Sequence, residues 1–392
     1  MYKILTLNKI AKIGLDKLDP KLFSCSDSAE NPDGVLVRSA DMKDFPLDAP
    51  LQAIARAGAG VNNIPVARCS EAGVVVFNTP GANAGAVKEL ALCALFLASR
   101  DITGGIDWAR GLSGKGAEVP GLVEKGKSQF AGREVAGKTL GVVGLGAIGV
   151  MVANAALALG MDVLGFDPYL SVDAAWGLSR DVRRAAGLKQ IYAESDYLTL
   201  HLPLGDETRG MIGQAALAQC RPGLRLINLA RGELVNTADL LAALDAGRVA
   251  AYVTDFPADA MLAHPRVLPI PHLGASTAES EDNCAVMAAR ELSDYLRFGR
   301  INNAVNFPNI ELEFGSGGAR LCLAHRNVPN MVGFISSVLA DAGVNIENMV
   351  NKSKKEYAYT LMDINALPDE ALLDGLRARE GILRVRAIPR PE

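Results

Sequence analysis

A histidine and an arginine in this chain have the residue types and positions for acid–base chemistry. His272 follows a short predicted strand, and Arg231 follows the predicted strand Arg225–Ala230. Imidazole transfers protons near neutral pH, and a guanidinium binds a carboxylate through two parallel hydrogen bonds. Ligands of open parallel sheets bind at the carboxyl ends of strands, where both residues are predicted to lie. We expect His272 to be the general acid–base and Arg231 to bind an acidic substrate, the alternatives being a structural histidine and a surface ion pair.

The other histidines are weaker candidates for proton transfer. His201 follows the apolar run Tyr197–Leu200, and it is predicted either to line a cofactor cleft through its backbone or to be structural. His264 lies in a loop beside Pro265 and is predicted to be a surface residue. His325 lies far beyond the predicted nucleotide-binding segment, near the end of the chain.

A glycine-rich turn predicts the cofactor. Gly144, Gly146 and Gly149 connect a predicted strand to an alanine-rich predicted helix, and Asp167 ends the next predicted strand. The first glycine permits the turn, the second admits a pyrophosphate, and the third allows helix and strand to pack closely. A carboxylate at Asp167 binds both ribose hydroxyls and repels a 2′-phosphate. The pattern therefore predicts NAD rather than NADP. The alternative, a glycine-rich turn in an α/β protein that binds no dinucleotide, does not explain the presence of Asp167.

Composition limits the class of protein. At 392 residues, the chain is long enough for two or three domains. Its net charge of −4 and mixed charges indicate neither a nucleic-acid surface nor a basic membrane arm. The six cysteines are scattered without paired spacing, so we expect no metal site, no disulfide framework and a cytoplasmic location. No apolar run reaches the roughly 18 residues that a membrane span needs.

The order of predicted elements indicates an α/β protein with three parts. Two doubly wound parallel-sheet domains of the Rossmann type are expected, and the first is discontinuous, because Asn303–Asn306 is predicted to return to it as a strand. The glycine-rich segment Phe314–Gly318 is predicted to be a flexible linker. Strand and helix patterns after it follow the order βαββαβ, which is typical of a ferredoxin-like module. The expected domains are 1–96 with 286–313, 97–285, and 319–392.

Several motifs together resemble one enzyme family. Gly144–Gly149, Asn228–Gly232, Asp255-Phe256 and Pro271–Thr277 resemble the D-isomer-specific 2-hydroxyacid dehydrogenases. Loops around Arg38, Arg56–Asn63 and Asn78–Asn83 are similar to those of the members that use a phosphorylated substrate. The resemblance implies NAD-dependent oxidation of D-3-phosphoglycerate to 3-phosphohydroxypyruvate, which begins L-serine biosynthesis. Related activities on D-lactate, glyoxylate or hydroxypyruvate, and a non-catalytic NAD-sensing protein, are the alternatives.

The resemblance also implies roles for individual residues. Arg231 would bind the substrate carboxylate and carbonyl oxygen, and His272 would be the acid–base. Arg38 and Arg56 would bind phosphate, Lys127 would reach the partner subunit's site, and the carboxylate would be held by the loop of Gly58, Ala59 and Gly60. The residues implied in NAD binding are Gly144, Gly146, Ala147, Ile148, Gly149, Asp167, Leu202, Leu229, Ala230, Asp255, Gly274 and Ala275.

One position departs from the family pattern. The family has a glutamate after the Asp255 region that pairs with the catalytic histidine, and this chain has Ala260 there. Asp259 is adjacent but one methylene shorter. Either Asp259 reaches His272 and serves as the third catalytic residue, or the pair has no acid.

The C-terminal module resembles an ACT domain, a small amino-acid-sensing module. His325, Asn327 and Asn345 match the positions that bind L-serine in serine-inhibited family members. The resemblance therefore implies feedback inhibition by L-serine, with a purely structural pairing module as the alternative. Asn330 stands where many such modules have glycine, and asparagine tolerates the left-handed backbone conformation. Subunit pairing through the nucleotide-binding and ACT domains would give a homo-oligomer, a dimer or a tetramer.

Overall fold

The computed structural model of this protein describes residues 1–48, 50–315 and 317–390. By the density of its internal contacts, the chain divides into two compact units. One comprises Met1–Asn83 with Ala278–Glu392, and the other comprises Ala84–Thr277.

The strands and helices are numbered in chain order. The strands are β1 Tyr2–Leu7, β2 Phe23–Ser26, β3 Gly34–Val37, β4 Ala53–Arg56, β5 Val75–Phe77, β6 Thr139–Val143, β7 Asp162–Phe166, β8 Arg183–Arg184, β9 Tyr197–Leu200, β10 Leu224–Asn228, β11 Val249–Thr254, β12 Val267–Pro269, β13 Ala319–Arg326, β14 Ile346–Lys354, β15 Tyr357–Ile364 and β16 Ile382–Pro389. The α-helices are α1 Lys12–Leu15, α2 Val66–Glu71, α3 Ala84–Ser99, α4 Ile102–Arg110, α5 Val119–Gly126, α6 Ala147–Ala158, α7 Val172–Gly177, α8 Leu188–Glu194, α9 Gln214–Gln219, α10 Thr237–Asp245, α11 Ala278–Phe298, α12 Met331–Asp341 and α13 Glu370–Arg377.

The first unit contains a five-stranded parallel sheet in the order β2-β1-β3-β4-β5. Strands β3 and β5 are buried throughout, which is why they are continuous apolar runs in the sequence. β2 lies at an edge and alternates apolar with polar residues, and the sequence prediction missed it. The carboxyl ends of β3 and β4 lead to Arg38 and to the loop after Arg56.

α11 packs into this unit although nearly 200 residues separate it from the first block. Gly14 of α1 permits the close approach, because a Cβ there would lie 2.6 Å from Ala285. The prediction that Asn303–Asn306 forms a strand is wrong. Ala304 makes only an isolated bridge to Phe77, because the side chain of Asn306 occupies the strand edge, accepting from Val76 N at 2.9 Å and donating to Val74 O at 2.9 Å. The discontinuity itself is confirmed.

The second unit contains a seven-stranded parallel sheet in the order β12-β11-β10-β9-β6-β7-β8. Chain order reverses at the neighbouring pair β6 and β9, and the backbone joins them where His201 N donates to Val143 O at 2.8 Å. This is the doubly wound order predicted for a Rossmann-type domain, and ligands bind at its switch point. β10 and β11 lie on the same side of that point and end at the segments that carry Arg231 and Asp255.

The C-terminal module is the antiparallel βαββαβ unit expected from the sequence, with strand order β14-β15-β13-β16. One face of its sheet packs on α12 and α13, and the other contributes Cys322, Ala324 and Tyr359 to the core shared with β1 and α11. Arg320 is fully buried and bonded to both oxygens of Asp363, at 2.7 and 3.1 Å.

The predicted flexible linker Phe314–Gly318 is held by the module at three described points. Gly315 N donates to Asp363 Oδ2 at 3.0 Å, the Phe314 ring lies 4.2 Å from the Arg320 guanidinium, and Gly318 O accepts from Arg390 N. Ser316 lies outside the described residues. The glycine-rich composition predicted a flexible segment, whereas these contacts restrict its described residues.

Among the described residues, no helix combines the length and apolar character required to cross a bilayer.

Candidate active site

The glycine turn after β6 is built for close backbone approach. Gly144 has φ +90°, and a Cβ there would lie 2.4 Å from His201 O. A Cβ at Gly149 would lie 1.9 Å from Gly144 O, so the third glycine is what lets α6 begin against the strand. Nothing lies within 4 Å of a Cβ at Gly146, which leaves open space beside the exposed first residue of α6, Ala147. That space lies at the positive end of a helix, where phosphate binds.

Asp167 is half-buried directly after β7 and is fixed by two backbone amides. Its Oδ2 accepts from Leu145 N and its Oδ1 from Tyr169 N, both at 2.8 Å. Each carboxylate oxygen has a further lone pair, so the group retains capacity to accept bonds from ribose hydroxyls. The bond to Leu145 also ties the acid to the glycine turn.

His201 lies at the switch point but is unsuited to proton transfer at neutral pH. Burial lowers its pKa to about 4, and its Nε2 lies 3.0 Å from Thr199 Oγ1. The imidazole is therefore neutral, and the backbone of His201 and the side chain of Leu202 face Gly144. Of the two alternatives for His201, these contacts favour a structural side chain whose backbone shapes the turn.

Arg231 is exposed three residues after β10. The fully buried Asn228 sets this loop: its Nδ2 donates to Arg231 O at 2.8 Å, and its Oδ1 accepts from Ala230 N at 3.2 Å. The guanidinium donates one hydrogen bond to Ala230 O at 2.6 Å. Leu229 is buried, so the loop turns its apolar residue inward and its cation outward.

Asp255 is a buried carboxyl directly after β11, with 1% of its surface exposed. Its Oδ2 accepts from Gly274 N at 3.2 Å, and its Oδ1 has no partner among the described residues. Burial raises the pKa of Asp255 above its ordinary value. The hydrogen bond from Gly274 N and the charges of His272 and Arg231 offset only part of this rise. The sheet edge thus brings Asp255, His272 and Arg231 into one electrostatic group.

His272 is exposed, and its ring packs on Phe256 with the ring centroids 4.5 Å apart. This contact orients the imidazole from one side and was not anticipated from the sequence, although Phe256 directly follows Asp255. No hydrogen bond to either ring nitrogen is present within the described residues. The imidazole is thus positioned by packing and is accessible to a ligand.

Asp259 makes no recorded contact with His272 in the described part of the chain. It is exposed and begins the short 3₁₀-helix Asp259–Met261, in which its carbonyl accepts from Leu262 N at 3.1 Å. The acid that interacts electrostatically with His272 is Asp255. The pairing of Asp259 with His272 stays a prediction.

These residues fit NAD. The glycine turn provides a cradle that side chains would fill, the helix start provides amides at Ala147 and Ile148, and Asp167 provides the ribose acceptor. The unpartnered Asp255 Oδ1 is a buried acceptor that a carboxamide N–H would satisfy.

The first unit holds the residues predicted to bind phosphate and carboxylate. Arg38 is paired with Glu281, near the start of α11, through its Nη2 and Glu281 Oε1. Arg56 donates from Nε to Arg38 O at 2.9 Å and from Nη1 to Gly60 O. Arg56 therefore supports the backbone of both predicted loops. The sequence analysis missed Glu281, which no motif singles out.

The loop of Gly58, Ala59 and Gly60 packs against Arg56. A Cβ at Gly60 would lie 2.9 Å from Arg56 Nη1, so a larger residue there would push the guanidinium away from the loop. Asn78 Nδ2 donates to Ala59 O, and Thr79 N donates to Gly58 O at 3.1 Å. These carbonyls point into the protein scaffold.

Lys127 begins a short 3₁₀-helix in the second unit and is paired with Glu124 on the preceding turn. Both side chains are well exposed, so this pair contributes little to stability. Ala230 and Ala275 are half-buried and Gly274 is buried, as residues lining a cofactor site would be.

In the C-terminal module, His325 is buried and bonded inside the chain. Its Nδ1 lies 2.8 Å from Arg326 O, and its Nε2 lies 2.8 Å from Thr360 Oγ1. Burial lowers its pKa. Asn327 and Asn345 are exposed, and Asn327 Nδ2 donates to Lys355 O at 3.1 Å. Asn330 adopts the left-handed conformation at φ +62°, as expected for the residue that replaces glycine.

Comparison with known proteins places this site in a class. Residues 96–274 match the family model described as "D-isomer specific 2-hydroxyacid dehydrogenase, NAD binding domain". The class defined by fold and site is therefore that of the NAD-binding proteins with a doubly wound sheet. Within it, residues 96–274 belong to the D-isomer-specific 2-hydroxyacid dehydrogenase family.

Relatives of similar sequence share one name. The D-3-phosphoglycerate dehydrogenase of Bacillus subtilis is 32% identical over 326 residues, covering 79% of this chain and 59% of that protein. The enzyme of the same name from Mycobacterium tuberculosis is 37% identical over 283 residues, covering 70% of this chain and 51% of that protein. This chain thus spans between half and three-fifths of these two relatives.

Solved structures show the same fold. The NAD⁺-bound 3-phosphoglycerate dehydrogenase of Entamoeba histolytica is 25% identical with a TM-score of 0.60, covering 78% of this chain and 98% of that one. D-mandelate dehydrogenase of Rhodotorula graminis has a TM-score of 0.64 at 21% identity, covering 78% and 97%.

Proposed function

We propose that this chain is an NAD-dependent dehydrogenase that oxidises D-3-phosphoglycerate to 3-phosphohydroxypyruvate, the first step of L-serine biosynthesis. The observation that carries the proposal is the grouping of Arg231, Asp255 and His272 at the sheet edge that also holds the glycine turn. The names of the relatives support the choice of substrate.

In the proposed reaction, His272 removes the proton from the substrate hydroxyl, which its exposed imidazole can reach. Arg231 binds the carboxylate and polarises the carbonyl oxygen as it forms. Bound NAD supplies an acceptor for the hydride. Asp255 is the buried acid proposed to act with His272, and Asp259 is the alternative acid.

The cofactor is proposed to lie along the glycine turn. Gly144, Gly146 and Gly149 admit the pyrophosphate, the amides of Ala147 and Ile148 bind it, and Asp167 holds the adenosine ribose. The remaining residues proposed to line the cofactor are Leu202, Leu229, Ala230, Asp255, Gly274 and Ala275.

Arg38 is a proposed phosphate ligand. Its ion pair with Glu281 is exposed on both sides, so the arginine is able to exchange this partner for a phosphate. Arg56 would join it, and Gly58, Ala59 and Gly60 would bind the carboxylate through their amides. Lys127 is proposed to contribute to the site of a partner subunit. The phosphate must displace Glu281, since both compete for the same guanidinium.

Rates with several substrates test this proposal. We expect kcat/KM for D-3-phosphoglycerate to exceed that for D-glycerate by at least a hundredfold. D-glycerate has a hydroxyl in place of the phosphate, so Arg38 and Arg56 have no charged group to bind. Glu281→Gln is expected to lower KM for D-3-phosphoglycerate several-fold and to leave KM for NAD unchanged. Faster turnover of D-lactate, glyoxylate or hydroxypyruvate would select the alternative activities, and NADH binding without any turnover would select an NAD-sensing protein.

Feedback inhibition by L-serine is proposed for the C-terminal ACT-like module. The exposed Asn327 and Asn345 have the amide groups to bind an amino acid's carboxylate and ammonium. His325 would first have to exchange its bond to Thr360 for a ligand. Inhibition by L-serine that is lost in Asn345→Ala supports the proposal, and activity indifferent to L-serine leaves these residues a structural role.

The remaining expectations stay proposals. They are the homo-oligomeric state, dimer or tetramer, the cytoplasmic location, and the domain limits 1–96 with 286–313, 97–285 and 319–392.

A further inference from the structure

A groove along α11 contains a buried carboxyl with an unsatisfied oxygen. Glu291 is 93% buried, and its Oε1 accepts from Asn303 Nδ2 at 2.7 Å. Its Oε2 is buried and has no partner among the described residues. An unpaired buried carboxyl oxygen costs free energy, so it indicates a missing partner.

The groove has a volume of about 450 Å³, and its lining is about half polar and half apolar. One face of α11 forms its first wall, and the loops at Gly81–Ala82 and Arg300–Asn303 form the others. Its lining residues are Gly81, Ala82, Asn283, Val286, Met287, Arg290, Glu291, Asp294, Arg300, Asn302 and Asn303. All of them belong to the first unit.

A second unsatisfied atom of opposite type lines the same groove. Arg300 Nε is buried and has no acceptor among the described residues, although Nη1 and Nη2 of the same guanidinium are paired with Glu311 and Glu313. Two of the residues that line the groove therefore carry one buried unpaired acceptor and one buried unpaired donor. A ligand that carries both a cationic donor and an anionic acceptor would satisfy the two together.

The charges of the groove favour the same type of ligand. Glu291 and Asp294 lie on one face of α11, three residues apart, and burial raises the pKa of both, that of Glu291 to about 8. Arg290 and Arg300 contribute two positive charges to the lining, and Arg297 and Glu311 act on Asp294 from beside it. Once Glu291 and Asp294 are both ionised, the two acids balance the two arginines, so the groove with its ligand bound complements a molecule whose net charge is zero.

We propose that this groove binds a small zwitterion with the ammonium and carboxylate groups of a free amino acid. The ammonium binds Glu291 Oε2 with the help of Asp294, and the carboxylate accepts from Arg300 Nε. The volume suits a ligand of amino-acid size and exceeds the room that a bare cation needs. Nothing in the proposed dehydrogenase reaction uses these residues, so this site is independent of that proposal.

Binding changes the protonation of Glu291. At pH 7 a carboxyl with a pKa of about 8 is mostly protonated, and an ammonium beside it favours the ionised form. We therefore expect the release of close to one proton for each ligand bound.

Calorimetric titration of the full chain with glycine, the smallest such zwitterion, tests the proposal. It is carried out at pH 7 in two buffers of different ionisation enthalpy, so that released protons are counted. We expect glycine to bind with proton release, and methylammonium or acetate alone to bind at least tenfold more weakly.

Variants assign the binding to the groove. Glu291→Gln keeps the shape and is expected to weaken glycine binding at least tenfold and to abolish proton release, whereas the exposed Glu279→Gln on the same helix changes neither. Arg300→Lys keeps the positive charge without Nε–H and is expected to weaken glycine but not methylammonium. Asn345→Ala, in the predicted serine site, is expected to leave this binding unchanged.

Should Glu291→Gln fail to fold, Ala82→Leu fills the groove from the opposite wall and is expected to block binding. Three results would overturn the proposal: no binding of glycine to the wild-type chain, which would indicate a groove filled by water alone; glycine binding that survives both Glu291→Gln and Ala82→Leu; or binding without proton release.

Discussion

At the scale of single residues, Glu291 gives the stability of the fold a pH dependence of definite sign. Its carboxyl has a pKa of about 8 in the folded chain, against an ordinary value of 4.5. Between these pH values the unfolded chain has lost the proton and the folded chain keeps it. The free energy of unfolding therefore falls as pH rises, by up to about 1.4 kcal/mol per pH unit from this group.

Glu291→Gln is expected to remove that dependence, because an amide does not ionise. Urea unfolding at pH 5, 7 and 9 measures it, and the variant should gain stability relative to the wild type as pH rises. Glu279→Gln is the matched control, since Glu279 is exposed on the same helix. A wild-type profile that is flat between pH 5 and 8 would contradict the assignment.

Asp255 and Asp259 are the two candidates for the acid that acts on His272, and single substitutions distinguish between them. Asp255 is buried and interacts with His272, whereas Asp259 is exposed and makes no recorded contact with it in the described part of the chain. Asp255→Asn is expected to lower kcat at least tenfold and to move the rise of the pH–rate profile to lower pH, because a neighbouring negative charge favours the protonated imidazole.

Asp259→Asn is expected to leave the same profile unchanged within error. The two variants are compared over pH 6 to 10 with saturating NAD. A pH–rate profile that shifts in Asp259→Asn but not in Asp255→Asn would identify Asp259 as the acid that replaces the family's glutamate.

At the scale of elements, two glycines of the β6–α6 turn have different roles: Gly149 is needed for folding, and Gly146 is proposed to be needed for cofactor binding. Gly149→Ala places a Cβ 1.9 Å from Gly144 O, so we expect a loss of several kcal/mol of stability or failure to fold. Gly146→Ala meets nothing within 4 Å and has an ordinary φ of −74°, so we expect a stable fold.

The same Gly146→Ala methyl occupies the space where the pyrophosphate approaches. Fluorescence titration with NADH is expected to show at least tenfold weaker binding in this variant, with thermal unfolding close to that of the wild type. Unchanged NADH affinity would mean that the pyrophosphate lies elsewhere.

Elements with a strong local signal were predictable, and those set by distant contacts were not. The buried strands around Gly144 and Asp167 are continuous apolar runs, so their positions followed from the sequence. The short edge strands β2 and β8 have no such run, and Asn306 satisfies its strand edge through a side chain. No sequence pattern predicts the pairing of Arg38 with Glu281, because 243 residues separate them.

At the scale of the whole molecule, the C-terminal module shares a core with the rest of the first unit. Arg386 donates to Tyr295 O at 3.4 Å and to Leu296 O at 2.9 Å at the end of α11, and Glu71 is paired with Arg326 and Tyr357. The effector proposed for the module would therefore act on α11 through packed side chains. Coupling of this kind does not depend on a free linker at Phe314–Gly318.

The proposed reaction of this molecule transfers a hydride from D-3-phosphoglycerate to NAD. The most direct measurement is NADH formation from these two compounds at mildly alkaline pH, with the wild-type chain beside Arg231→Gln and His272→Asn. We predict sustained NADH formation by the wild type, a fall of at least a thousandfold in both variants, and unchanged NADH binding in all three. A wild-type chain that binds NADH and forms none from D-3-phosphoglycerate would contradict the claim.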